Sequence, residues 1–236
     1  MRLDKLLSNM GYGSRKDVKL LLKKAYVTVN DVRLKDGSVQ IDPERDVIHV
    51  DGERVKYEKH VYILMNKPPG VISATEDVRD RTVIDLLTPE LQHFAPFPVG
   101  RLDKDTEGLL LLTNDGKLAH QLTSPNYHVP KTYFATVQGC VDAGDVARFK
   151  EGVTLDDGYV TKPGELVVLK SGTVSEIELT ITEGKFHQVK RMFESVDKKV
   201  VYLKRIRMGN LKLDEQLKLG GFRRLTEAEL EALSNK

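Results

Sequence analysis

Cysteine is all but missing from this sequence. Cys140 stands alone among 236 residues, which rules out an internal disulfide framework and a thiolate-rich metal site and fits a reducing compartment. Long apolar stretches are missing too. Runs such as residues 109–112 fall far short of the roughly 20 residues a spanning helix needs. Residues 1–16 have neither the apolar core nor the cleavage pattern of a secretory signal. A soluble, cytoplasmic protein is therefore expected. Neither sign of charge dominates: the net charge is +2 with 31% charged residues, so the total implies no particular partner. Loops of the form G-x-G-x-x-G or G-x-x-x-x-G-K-[ST] are absent, as is G-x-S-x-G, leaving nucleotide-cofactor and serine-hydrolase chemistry without support. The six histidines, at 49, 60, 93, 120, 128 and 187, show no zinc-ligand spacing and read as surface or core residues. No cofactor and no metal are expected.

What is present is 40% apolar residues, enough for a core, in a length that suits one large or two unequal domains. Charge is unevenly placed. Residues 1–35 carry nine Lys/Arg against three Asp/Glu, and residues 183–207 carry eight against three. Two basic segments on a nearly neutral chain point to localised polyanion contacts, although either alone could be a solvated face. The first 60 residues read as a small module. Leu3, Leu6 and Leu7 predict a short helix ending near Gly11 and Gly13. Ser14 and Asp17 form a capping box for a second helix, with Val18, Leu21, Leu22 and Ala25 as its apolar stripe. Residues 27–34, turning at Asn30-Asp31, read as a tight hairpin, and Asp51-Gly52 as a further turn. From Val61 the pattern changes. Strands are predicted at 61–64, 109–113, 133–137, 164–169 and 175–181, and residues 71–73 could extend the first. Helices are predicted at 82–87, 116–122, 186–195 and 227–233, the last capped by Thr226 and Glu229. Residues 93–98, with two prolines, should be irregular. Irregular alternation of strands and helices favours an α+β fold.

The stretch from Gly100 to Gly116, GRLDKDTEGLLLLTNDG, is a charged loop feeding a buried strand and a turn. A carboxylate such as Asp103 or Asp105 on a rigid loop beside an apolar strand suits a nucleophile or general acid/base, and an ordinary solvated loop equally well. This stretch resembles the signature loop of the pseudouridine synthases, in the RsuA-type branch that modifies ribosomal RNA, whose pattern G-R-L-D-x-D-T-x-G-L-L-L-L-T-x-D-G it matches throughout. Residues 66–73 (NKPPGVIS) resemble the family's upstream lysine–proline–glycine motif, residues 131–133 (KTY) its lysine–tyrosine element, and residues 183–193 (EGKFHQVKRMF) its downstream motif. The N-terminal module resembles the S4 RNA-binding domain.

The resemblance implies an α+β architecture: a small helix–hairpin RNA-binding module over residues 1–59, then a mixed, mainly antiparallel sheet with flanking helices over residues 60–236. It implies isomerisation of a uridine to pseudouridine in ribosomal RNA, in which the base leaves its ribose, turns and rejoins through carbon. No redox step occurs, in keeping with the missing cofactor motifs. Asp103 is the implied nucleophile. Tyr133 is implied to lie against the target base, Arg101 to hold the flipped-out RNA, and Lys190 to pair with Asp103. Asp105 reads better as a loop-stabilising or solvated carboxylate, and Lys67-Pro-Pro-Gly as a structural turn. Arg2, Lys5, Arg15, Lys16, Lys19 and Lys23 are the expected phosphate contacts. The expected partner is ribosomal RNA or a subunit precursor, met by a monomer. Residues 120–125 and 131–133 look more like the small-subunit enzymes. A large-subunit RNA enzyme and a non-catalytic RNA-binding or assembly protein are the alternatives, the second opposed by the intact Asp103, Tyr133 and Lys190.

Overall fold

The computed structural model describes residues 1–234, which fall into two compact units. The first joins Met1–Val61 with Thr88–Pro96, and the second joins Tyr62–Leu87 with the chain from Phe97 onward.

In the first unit, α1 (Leu3–Asn9) and α2 (Arg15–Lys24) precede β1 (Val27–Val29), β2 (Val32–Arg33), β3 (Ile48–Val50) and β4 (Glu53–Val55). The strands form an antiparallel sheet in the order β2-β1-β3-β4. The expected capping box starts α2: Ser14 Oγ accepts from the Asp17 N–H, and the Asp17 carboxylate accepts from the Ser14 N–H at 2.9 Å. Two hairpins close on two-residue turns with positive φ at both positions, Asn30 and Asp31 (50° and 64°) and Asp51 and Gly52 (51° and 87°). Such turns match the right-handed twist of the strands they join. Leu3, Leu6, Leu7, Val18, Leu22, Val27 and Ile48 share one core, and Leu21 is only partly buried beside it. A four-residue helix, α3 (Pro89–Gln92), also belongs here. Its sequence, PELQ, is too short to show a period.

The second unit is built on a nine-stranded sheet. Its strands are β5 (Tyr62–Lys67), β6 (Phe97–Pro98), β7 (Glu107–Thr113), β8 (Lys131–Gln138), β9 (Glu165–Lys170), β10 (Val174–Ile181), β11 (Lys199–Met208), β12 (Leu211–Lys212) and β13 (Phe222–Arg224). The order is β13-β5-β7-β11-β8-β10-β9, with β12 on β11 and β6 on β7. The β7–β11 pair is parallel and the other pairs are antiparallel. Helices α4 (Gly116–Thr123), α5 (Ala143–Glu151), α6 (Gln188–Glu194) and α7 (Glu227–Ser234) flank it. The fold is α+β, as the sequence indicates. Strands β5 and β7 are continuous apolar runs because both their faces are covered; Ile63, Leu64, Met65 and Leu109 through Leu112 are fully buried.

Several elements differ from the sequence reading. Residues 71–73 do not extend β5; they contribute only an isolated parallel bridge from Ile72 to Thr82. Phe97–Pro98, expected to be irregular, forms β6, where proline is tolerated because the pairing is only two residues long. Residues 82–87 narrow to a single 3-10 turn, Ile84–Leu86. The ten-residue β11 escapes a period-two reading because its buried face carries Arg205 (2% exposed) beside Leu203, and register shifts break it twice. Helix α5 is a further element absent from the sequence reading, although Asp142 and Asp145 form a capping box at its start.

Candidate active site

The loop from Val99 to Thr106 enters β7 and is tied down from beneath. The Ser73 hydroxyl donates to the Leu102 carbonyl and accepts from the Leu102 N–H, both at 3.0 Å. Lys67, at the end of β5, has no exposed surface. Its Nζ donates to the carbonyls of Pro68 (3.0 Å), Lys104 (3.3 Å) and Thr106 (2.9 Å). Burial pushes its ammonium down to about 8, against the pull of Asp105, Asp103 and Glu107. A buried charge must be compensated; here loop carbonyls supply part of that compensation, and the loop is held in return. The loop then runs into the parallel β7–β11 seam. Gly108 has φ of 101°, and a Cβ there would lie 2.3 Å from the Arg205 carbonyl oxygen. Only glycine fits.

Asp103 sits on this loop with about 29% of its side chain exposed. Two cationic or potentially cationic groups flank it: Lys190 Nζ at 3.6 Å from Oδ2, and His187 Nε2 at 3.6 Å from Oδ1. Lys190 lies closer to Asp105, donating to both carboxylate oxygens at 2.7 and 2.8 Å. That hydrogen bond, with the Lys190 charge, holds the Asp105 carboxyl below its usual range. The expected Lys190–Asp103 pair is thus a triad, with the ammonium gripped by Asp105 and the Asp103 carboxylate at longer range. Asp105 is not a bare solvated charge.

A cleft of about 270 Å³ opens over Asp103, lined among others by Arg101, Tyr133, Ile181, Phe186, His187 and Leu203. Tyr133 is 8% exposed in its wall, and Arg101 is exposed at the cleft. The far wall is held by Glu183. Its carboxylate, 6% exposed, accepts from the Tyr159 hydroxyl (2.7 Å), the Lys162 N–H (2.9 Å) and Gln188 Nε2 (2.8 Å). Gln188 Oε1 accepts from the Lys185 N–H at 2.8 Å. The cleft therefore combines a carboxylate, the basic side chains Arg101 and Lys185, and apolar and aromatic walls, suited to a flat, uncharged base on a polyanionic chain. Among the described residues no group of His, Cys, Asp and Glu could hold a metal ion.

Residues 61–195 match the RNA pseudouridylate synthase family, and residues 1–47 match the S4 domain. A protein of Vibrio cholerae named ribosomal small subunit pseudouridine synthase A is 40% identical over 99% of both chains. The chain belongs to the RsuA family of RNA pseudouridine synthases. A Bacillus subtilis relative described as an uncharacterized RNA pseudouridine synthase, YtzG, is 52% identical over 99% of this chain and 98% of its own. A crystal structure of a pseudouridylate synthase, 37% identical and covering 99% of both chains, superposes with a TM-score of 0.70.

This pseudouridine synthase binds RNA through its S4 domain. Of the six basic residues expected to contact phosphate there, Lys5, Arg15, Lys16, Lys19 and Lys23 are exposed. Arg2 is engaged internally: its guanidinium meets the buried Asp4 carboxylate at 2.7 Å. The second basic segment is also less free than its sum suggests. Lys190 is held by Asp105, Arg191 by Asp156 and Asp157, and Lys198 by Asp145 at 2.9 Å, while Arg205 is buried. Of the site residues expected from the sequence, Asp103, Arg101 and Tyr133 line one cleft, and Lys190 lies beside it against Asp103 and Asp105. The sequence reading missed Lys67 as a loop anchor, His187 beside Asp103, and Glu183 with Gln188 as the wall's support. The one signal for Lys67 was a lysine closing an apolar strand directly before two prolines.

Proposed function

We propose that this enzyme isomerises a specific uridine of small-subunit ribosomal RNA, with Asp103 as nucleophile. The observation that carries the chemistry is the Asp103 carboxylate at the cleft, with Lys190 and His187 each 3.6 Å away and Tyr133 in the wall. The choice of RNA rests on relatives: proteins of Vibrio cholerae and Yersinia pestis named ribosomal small subunit pseudouridine synthase A are 40% and 37% identical over 99% of this chain.

In this reading Asp103 attacks the flipped-out nucleoside and the bond from N1 to the ribose breaks. The uracil turns, a bond from C5 to the ribose forms, the bond from Asp103 to the nucleoside breaks and frees the carboxylate, and the C5 hydrogen leaves as a proton while N1 regains one. Flipping costs a few kcal/mol; stacking of the uracil on Tyr133 offsets about 1–3 kcal/mol of it. Lys190, shared between Asp105 and Asp103, lies 3.6 Å from Asp103 Oδ2 and helps to aim the carboxylate. Arg101 holds the RNA opened at the target. We assign RNA anchoring to residues 1–59, through Lys5, Arg15, Lys16, Lys19 and Lys23 with Arg2 at their edge, and the chemistry to residues 60–236. The enzyme works as a monomer on ribosomal RNA or a subunit precursor in the cytoplasm, and the isomerisation calls on no metal or cofactor.

The test is Asp103→Asn, which keeps size and removes the nucleophilic charge. With small-subunit RNA carrying uridine tritiated at C5, wild type should release tritium and the variant should release it at least roughly a thousandfold more slowly, the scale seen on removing a nucleophile. Both proteins are first matched for folding and RNA binding. Equal release by both would remove Asp103 as the nucleophile. Release from large-subunit RNA alone would overturn the choice of subunit.

A further inference from the structure

Phe186 is out of place by ordinary burial. It is 73% exposed, the most exposed aromatic side chain among the described residues. A lone exposed apolar residue is common enough, but this one lines the cleft over Asp103. Its ring is stacked on that of His187, with centroids 3.8 Å apart and planes 16° from parallel. Consecutive side chains normally diverge. Here His187 adopts φ of 49°, and this left-handed turn brings two successive rings face to face. The turn is not slack, since Glu183 and Gln188 pin the loop from both sides. One face of Phe186 rests on His187, and most of its remaining surface is open to solvent. The surroundings are cationic: Arg101 lines the same cleft, as does Lys185, whose ammonium lies 4.3 Å from the Tyr159 ring centre.

We propose that the Phe186–His187 stack is a platform for a second RNA base, the nucleotide adjoining the target uridine. The inference rests on the reading of Asp103 as the reacting group, since it is Asp103 that fixes where the target sits. Extruding the uridine strips its neighbours of a stacking partner. An outward-facing ring at the cleft replaces that partner, while the nearly buried Tyr133 serves the target itself. Any base has a face to offer such a platform, so the contact is tolerant of sequence and favours purines by their larger overlap. Because His187 Nε2 is 3.6 Å from the Asp103 carboxylate, the platform lies directly against the reacting group, and docking the neighbouring base also orders the surroundings of the nucleophile.

Phe186→Ala, Phe186→Leu and Phe186→Trp test this on ribosomal RNA tritiated at uridine C5, using whichever subunit's RNA the wild type labels. Ala and Leu should each raise KM by roughly tenfold to a hundredfold, the range set by removing one base–ring stack, and Trp should stay within about threefold of wild type. Thermal unfolding should be unchanged in all three, since the side chain is mostly exposed. Once the modified uridine is mapped, short transcripts with an abasic site on either side of it supply the second arm. One such site should cost the wild type what Ala costs and cost the Ala variant nothing more. Wild-type KM in the Ala variant, a Leu variant as good as Trp, or full additivity between Ala and both abasic sites would each overturn the platform. These ratios are read between active enzymes on one RNA, so they stand apart from Asp103→Asn, whose unexpected activity would sink the nucleophile instead.

Discussion

Lys67 donates to three backbone carbonyls, two of them in the loop that presents Asp103. An ammonium has three protons and a neutral amine two, so deprotonation leaves one carbonyl without its donor. With its pKa pushed down to about 8 by burial, Lys67 titrates within reach of ordinary assays. Activity and stability should then part company. The folded chain releases the proton near pH 8 and the unfolded chain near 10.5. Between those values the unfolded state binds more protons, so this group makes stability rise with pH. Over the same interval the Asp103 loop loses a tether. We expect kcat/KM to fall with an apparent pKa of about 8 while the thermal midpoint shows no matching drop. A midpoint falling in step with activity would contradict the linkage. The same residue shows why part of the site was hidden in the sequence: the motif marks Lys67 as part of a turn, and nothing local says that its side chain runs back beneath a loop 37 to 39 residues further on.

At the scale of elements, the seam between β7 and β11 is the parallel pairing in the sheet, and it places the start of β7, hence the Asp103 loop, against β11 and the wall of the cleft. It is closed by Gly108, where a Cβ would meet the Arg205 backbone at 2.3 Å with φ at 101°. Gly108→Ala should therefore cost more than about 3 kcal/mol, through backbone strain and steric overlap together. Denaturant unfolding measures this directly; a decrease below about 1 kcal/mol would mean that the seam yields easily. Helix α2 and the hairpins of the first unit were legible because their signals are short: a capping box, and turns that need positive φ. Strand β11 was not, because a central strand whose buried face accommodates a guanidinium breaks the alternation that identifies strands. Arg205 sits there with Nε donating to the Leu109 carbonyl at 2.9 Å, a partner 96 residues away.

For the whole molecule, the charge that matters is the charge left over after internal pairing. Much of the excess in the C-terminal basic segment is neutralised by Asp105, Asp145, Asp156 and Asp157, whereas Lys16, Lys19 and Lys23 on α2 are exposed. Neutralising these three to Gln should weaken RNA binding uniformly and reduce the slope of log K against log salt by roughly 0.7–0.9 for each phosphate that no longer meets a cation. Filter binding across a salt series would show it; an unchanged slope would remove α2 from the RNA-binding surface. This charge change is a cleaner probe than cutting the chain at residue 59, because α3 packs with the first unit and truncation would strip it of its partners. The sequence by itself determined the family, the α+β class and the S4 module, because each is written in contiguous motifs whose chemistry does not depend on distant neighbours. Only the tertiary structure decided that Lys190 grips Asp105 more closely than Asp103, that His187 flanks the carboxylate, and that Phe186 stands exposed beside it. These arrangements join strands, loops and helices far apart in the chain, and their geometry follows from sheet register and packing, which no local pattern encodes.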